Sequence, residues 1–175
     1  MSDGSYYSLW LNRYTRIQNN RKSMWSFLTQ PDVKDEWITR RPKPFQWSID
    51  EIIRHMIGSE IRYIHQSFDP TIIQHQSSVP AQWVGKAFFR FEEGDHVELT
   101  DLKAIYNSVE EKTLKLIASP DRTYEKVVKA PWGEEMPISE LLESFYDHEN
   151  YHRGQIYLII NFFRDSPPPD LVKRK

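Results

Sequence analysis

Cysteine is absent from the sequence. That excludes disulfide bonds, thiolate metal ligands and a cysteine nucleophile, so any chemistry must rest on other side chains. A surplus of either charge is also missing: 23 Lys and Arg stand against 25 Asp and Glu, a formal net charge of -2. Such a chain has no general attraction to a phosphate backbone or an anionic membrane, and neither nucleic acid nor membrane is expected as a partner. No apolar run approaches the roughly 20 residues of a spanning helix, and the opening MSDGSYYSLW lacks the basic-then-apolar pattern of a secretory signal. The expected location is cytoplasmic. There is no internal repeat at a fixed period, and no low-complexity tract beyond the short basic stretch Val172 to Lys175. What is there is a globular composition, 39% hydrophobic, 14% aromatic and 27% charged over 175 residues. One domain over residues 1–175 with a substantial core is expected.

Apolar spacing predicts four long helices. Tyr7, Trp10, Tyr14, Ile17, Met24 and Leu28 recur with a three-four rhythm, broken only where Arg21 falls, and predict helix one over 5–29. The proline-rich run Arg40 to Pro44 places a linker over 30–46. Helix two starts sharply: Ser48 and Glu51 have the spacing of a capping box, with Trp47 placed to staple onto Ile52. Its stripe of Ile49, Ile52, Ile53, Met56, Ile57, Ile61 and Ile64 carries it to about Gln66. From Asp69 to Leu99 no rhythm persists, and a crossover of that length suits parallel neighbours. Helix three is predicted over 100–119, capped by Thr100, with Leu102, Ile105, Val109 and Leu116 inward. Residues 124–129 and the turn Trp132-Gly133-Glu134 are expected to form a small hairpin. Helix four is predicted over 139–164, lined by Leu142, Phe145, Ile156, Ile159 and Phe163. Four such stripes are best buried side by side, so the expected fold is all-α: a four-helix bundle with a long crossover between helices two and three.

Two imidazoles interrupt the stripe of helix four, where His148 and His152 sit between Phe145 and Ile156. Residues four apart on a helix have Cβ atoms about 5–6 Å apart, so both rings can reach one ion at about 2.0–2.1 Å. On helix two, His55 lies beside Met56 at the edge of the stripe and supplies a third nitrogen. Three neutral imidazoles leave a divalent ion its charge and an open position, the pattern of a catalytic rather than a structural site. The plainer reading of each histidine alone is a buried polar group bonded to a carbonyl or carboxylate. His65, His75 and His96 are expected at the surface or in loops. Arg153 and Gln155 are expected to tie helix four to neighbouring backbone, the alternative being a role in orienting the site.

The stretch His148-Glu149-Asn150-Tyr151-His152 also spells H-E-x-x-H, in which a helix presents two zinc ligands and a glutamate base. The longer protease form needs a further histidine downstream, and none follows His152. Peptide hydrolysis is therefore set aside, while Glu149 is kept as the candidate catalytic residue, a base or a supporting carboxylate.

Together, Trp132-Gly133 and Asp147-His148-Glu149-Asn150-Tyr151-His152-Arg153-Gly154-Gln155-Ile156 resemble the carboxy-terminal signature of DinB-like (DinB/YfiT) metal-binding four-helix proteins. Trp47-Ser48-x2-Glu51-x3-His55 resembles the same family's earlier ligand helix, so that nearly the whole chain is covered in order. The resemblance implies a down-up-up-down bundle, often a homodimer, with nickel, zinc or a similar ion on His55, His148 and His152. It further implies a small-molecule substrate and a thiol S-transferase using a cosubstrate such as bacillithiol, mycothiol or glutathione, or a metal-dependent hydrolase. A chain without cysteine that holds an open cationic ion fits an external low-molecular-weight thiol. The contrasting expectation is a non-catalytic metal-binding or interaction module, in which the aromatic crossover from Trp83 to Phe91 contacts a partner. A solvent-accessible pocket beside the histidines, as against a sealed one, separates the two.

Overall fold

The computed structural model describes residues 3–42, 47–69, 79, 83, 96–118 and 124–164. In chain order they form α1 (Asp3–Leu28), α2 (Asp35–Thr39), α3 (Ile49–Glu60), a π-helical turn (Ile61–His65), α4 (Gln66–Phe68), α5 (Leu99–Ile117), β1 (Val127–Lys129), β2 (Glu135–Pro137) and α6 (Ile138–Phe163). The fold is all-α apart from the antiparallel pair β1–β2, which runs in register from Val127 opposite Pro137 to Lys129 opposite Glu135. No helix among the described residues is long and apolar enough to cross a membrane.

Core membership gives the helix directions. One apolar cluster takes the late residues of α1 and α6 (Met24, Leu28, Ile156, Ile160) with the early residues of α3 and α5 (Ile49, Ile53, Leu102, Tyr106). The other takes the early residues of α1 and α6 (Trp10, Ile17, Leu142, Phe145) with the far ends of α3–α4 and α5 (Ile64, Phe68, Leu116). Thus α1 and α6 run one way and α3 and α5 the other, down-up-up-down. The crossover between the two parallel helices falls mostly outside the described residues, as does His75. Val79 and Trp83, its described members, are buried in the first cluster, so Trp83 faces its own core and not a partner.

Between the two clusters lies a polar layer to which every long helix contributes. Arg21 of α1, buried, donates from Nε to Glu149 of α6 at 2.7 Å and from Nη2 to Glu60 of α3 at 2.7 Å. From Nη1 it reaches Tyr14 and Glu110, each at 3.2 Å. Glu60 also accepts from the Tyr14 hydroxyl and from Thr113 of α5, and the Tyr106 hydroxyl donates to Glu149 at 2.9 Å. Burial raises the Glu60 carboxyl above its ordinary range against the opposing pull of Arg21. The break in helix one's apolar rhythm at Arg21 is therefore an ion-pair hub and not an exposed turn.

Several boundaries and environments depart from expectation. The 30–46 linker contains α2, a single turn that buries only Ile38 against the core and is too short to show a period. Helix two is not uniformly α: the Gln66 amide bonds the Ile61 carbonyl, which defines the π turn. Because i→i+5 bonding stacks residue i+5 over residue i, His65 comes beneath Glu60, and both meet Thr113 Oγ1, His65 through Nε2 at 2.8 Å. His65 is accordingly buried, not at the surface, whereas His96 is exposed. The N-cap of α5 is Glu98, two residues before Thr100. The capping box at Ser48 forms, with the Ser48 amide donating to the Glu51 carboxylate at 2.8 Å. Trp47, however, lies against His55 instead of being confined to a staple on Ile52. In the hairpin turn Gly133 has φ 105°, a left-handed value that explains glycine after Trp132.

Candidate metal centre

The three site histidines come from two helices whose phases the core sets. On α3 the capping box fixes the first turn, and burial of Ile52, Ile53, Met56 and Ile57 turns His55 to the edge of the packed face. On α6, Phe145 and Ile156 are buried on either side of His148 and His152 in the same stripe. The convergence is at one atom type: His55 Nε2 and His148 Nε2 are 3.0 Å apart, and His152 Nε2 and His148 Nε2 are 3.1 Å apart. The three potential ligand atoms all lie within 4.8 Å of one another. Two nitrogens bonded to one ion at about 2.0–2.1 Å stand about 2.9 Å apart at a right angle and about 3.3 Å apart at the tetrahedral angle. The two spacings to His148 fall between those limits.

The protonation of the rings fits the same conclusion. Burial pushes His55 and His148 down to about 3, helped by the neighbouring imidazoles, and lowers His152 against the opposing hydrogen bond from Gln155. All three are neutral at pH 7, the form that ligates. His152 Nδ1 pairs with Gln155 Oε1 at 2.7 Å, and Gln155 Nε2 donates to the Tyr151 hydroxyl at 3.0 Å. With its ring proton given to Gln155, His152 keeps a lone pair on Nε2. Neutral rings carry one N–H each, too few to place a well-aimed proton in every contact of this cluster. A cation accepting the Nε2 lone pairs in place of protons removes that shortage.

Above the histidines lies a cavity of about 330 Å³. Its walls are Trp47, Tyr63, Trp132 and Tyr151, with Ser59 and Arg62 toward one side. Trp47 stacks on His152 with an interplanar angle of 14°, and Tyr63 lies 5.6 Å from Trp132, centroid to centroid. Arg62 and Tyr63, three and four residues beyond Ser59, share a wall with His55 and Ser59 by ordinary helical spacing. An open mouth with three neutral donors at its floor can bind a small ligand next to an ion.

Glu149, the candidate base, is placed in the polar layer: Oε1 accepts from Arg21 and Tyr106, and Oε2 from Tyr106 at 3.1 Å. Both oxygens are committed there, and the carboxylate meets the site only through its charge, which pulls the His152 pKa back up. Gln155 does not tie α6 to backbone as expected but orients a site ring. Arg153 makes no such tie among the described residues either, and its Nη1 is buried without a partner there. The cavity walls were not assigned from sequence, whereas the orienting role of Gln155 is the alternative that the sequence left open. The helical spacing of Arg62 and Tyr63 from Ser59 and His55 was the signal available for that wall.

Searches of curated proteins and of solved structures returned no match. A family model, the DinB superfamily, matches residues 16–156, a span that holds His55, His148 and His152 together with Arg21, Glu60, Thr113 and Glu149 of the polar layer. With most of the chain inside that match, the protein belongs to the DinB superfamily.

Proposed function

We propose that this chain is a metal-dependent enzyme in which His55, His148 and His152 hold a divalent nickel or zinc ion and a small-molecule thiol or water is activated for attack on a small electrophile. The observation that carries this reading is the meeting of three Nε2 atoms at 3.0 and 3.1 Å on the floor of an open cavity. When bound, such an ion supplies a Lewis acid that lowers the pKa of a thiol or water beside it. The protein's own part is positional. Gln155 holds the His152 ring by its Nδ1 proton, and Trp47 fixes the plane of that ring from the other side. Tyr63, Trp132 and Tyr151 exclude water from the flanks of the cavity. With both oxygens of Glu149 engaged, we assign it the positioning of α6 and not proton abstraction. In the thiol reaction the S–H proton passes to solvent through the open mouth. The sulfur then bonds to the electrophilic carbon, and the leaving group departs with its electron pair. Thiol transfer is preferred to hydrolysis because, among the described residues, no carboxylate lines the cavity to serve as base for water. The open cavity also weighs against a module whose histidines are sealed among packed side chains.

Metal analysis of tag-free protein tests the site: about one divalent ion per chain is expected, and none in His148→Ala or His152→Ala. Equal metal in wild type and variants refutes it. Consumption of a chloro-dinitrobenzene with a panel of small thiols tests the transfer; the absence of metal-dependent turnover refutes that part.

A further inference from the structure

Two cavities meet at one side chain. Beside the histidine cavity lies a second, of about 480 Å³, lined by Gln66, Lys126 and Lys129 among others, and Arg62 and Pro131 belong to the walls of both. Arg62 stands on the π turn with its guanidinium pinned by an Nη2 bond to the Pro131 carbonyl at 3.2 Å. That bond uses one of five N–H donors. Lys126 and Lys129, on the exposed side of the hairpin, form no ion pair among the described residues, and Glu135, the register partner of Lys129, makes none with it. Among the described residues no carboxylate lines either cavity. Although Glu134 and Glu135 lie on the same hairpin, the described lining of the two cavities carries three cations and no acid, so the side facing a ligand is locally positive. Such a lining favours an anionic ligand.

Building on the function proposed above, we propose that the ligand is bipartite. Its sulfur or oxygen lies over the three imidazoles among the aromatic rings, and an anionic group, carboxylate or phosphate, crosses Arg62 into the groove of Lys126 and Lys129. Arg62 is the specificity residue, because its plane is held and its remaining donors can grip two oxygens. The lysines add attraction that salt screens.

The test uses cobalt-loaded full-length protein and the thiolate-to-cobalt absorption band. Mercaptosuccinate is compared with neutral thioglycerol for the carboxylate, and 4′-phosphopantetheine with pantetheine for the phosphate. The charged member of at least one pair is expected to bind roughly tenfold tighter at low ionic strength, an advantage that shrinks as salt rises. The ratio of charged to neutral affinity is expected to fall in Lys126→Gln/Lys129→Gln and to fall further, most of the way to one, in Arg62→Gln. Following that ratio cancels intrinsic differences in thiol acidity. A band of equal affinity for charged and neutral thiols, or a ratio unchanged in the variants, overturns the bipartite site and leaves thiol activation standing. No band with any of the four thiols refutes thiol activation itself, and the extension falls with it.

Discussion

Replacing Arg21 with Met tests the polar layer most directly. The guanidinium is buried, as are both of its 2.7 Å partners, Glu60 and Glu149. Methionine restores much of the volume but no donors, and leaves two carboxylates in the core with only hydroxyls from Tyr14, Thr113 and Tyr106. Breaking a buried pair by removing one partner costs about 3–5 kcal/mol. Against a total stability of about 5–15 kcal/mol, that is a large fraction. For a domain of this size it corresponds to a fall in Tm on the order of 10 °C. The loss has a definite pH dependence. Glu60 already has a raised pKa in the presence of Arg21, and removing the cation raises it further. A carboxyl whose folded pKa lies above its unfolded value contributes stability below the unfolded pKa and loses it as pH rises through the folded one. The deficit of Arg21→Met is therefore smallest near pH 5 and grows toward pH 8, and adding Glu60→Gln to the variant recovers part of it at pH 8. Urea melts of the metal-free proteins at pH 5 to 8 measure this. A deficit under about 1 kcal/mol at pH 7, or one that shrinks as pH rises, refutes the account of the layer.

Two further outcomes are expected. Gln155→Leu removes the acceptor that orients His152, and should weaken metal binding by about 10–100-fold in chelator competition while leaving the Tm of the metal-free protein nearly unchanged; unaltered affinity would show that Gln155 is a bystander. His65, pushed by burial down to about 3, stays neutral in the folded chain while the unfolded chain takes up a proton below about 6.5. Stability should therefore fall as pH drops from 6.5 toward 3, by about 1.4 kcal/mol per pH unit from this residue. His65→Gln should flatten the stability slope of the metal-free protein by about that amount, and an unchanged slope would count against a neutral His65.

Features with a long period were legible from sequence. Helices expected over 5–29, 100–119 and 139–164 appear as Asp3–Leu28, Leu99–Ile117 and Ile138–Phe163, because each repeats its apolar spacing over about four turns or more. The hairpin was legible from Trp132-Gly133, since only a left-handed residue closes that turn. The trio of His55, His148 and His152 was legible because polar rings inside an apolar stripe must find partners. What was hidden depends on tertiary context. Asp35–Thr39 is one turn long and owes its helix to Ile38 finding the core. His65 looked like a residue past the end of a stripe, and only the π turn carries it inward to Thr113. For Gln155 the sequence left a backbone tie and an orienting role open, and the bond to His152 Nδ1 decides between them.

The extra residue in the turn from Ile61 to His65 also changes what the segment tolerates. Residues before it are in phase with the first apolar cluster, and residues after it are in phase with the second. Deleting one residue there would regularise the backbone yet rotate everything downstream by about 100°. Ile64 would then be swept out of its cluster and His65 away from Thr113, while Phe68 would lose its seat against Tyr124. Length in that stretch is therefore constrained more tightly than residue identity. Side-chain substitutions there should be absorbed more readily than a single-codon deletion.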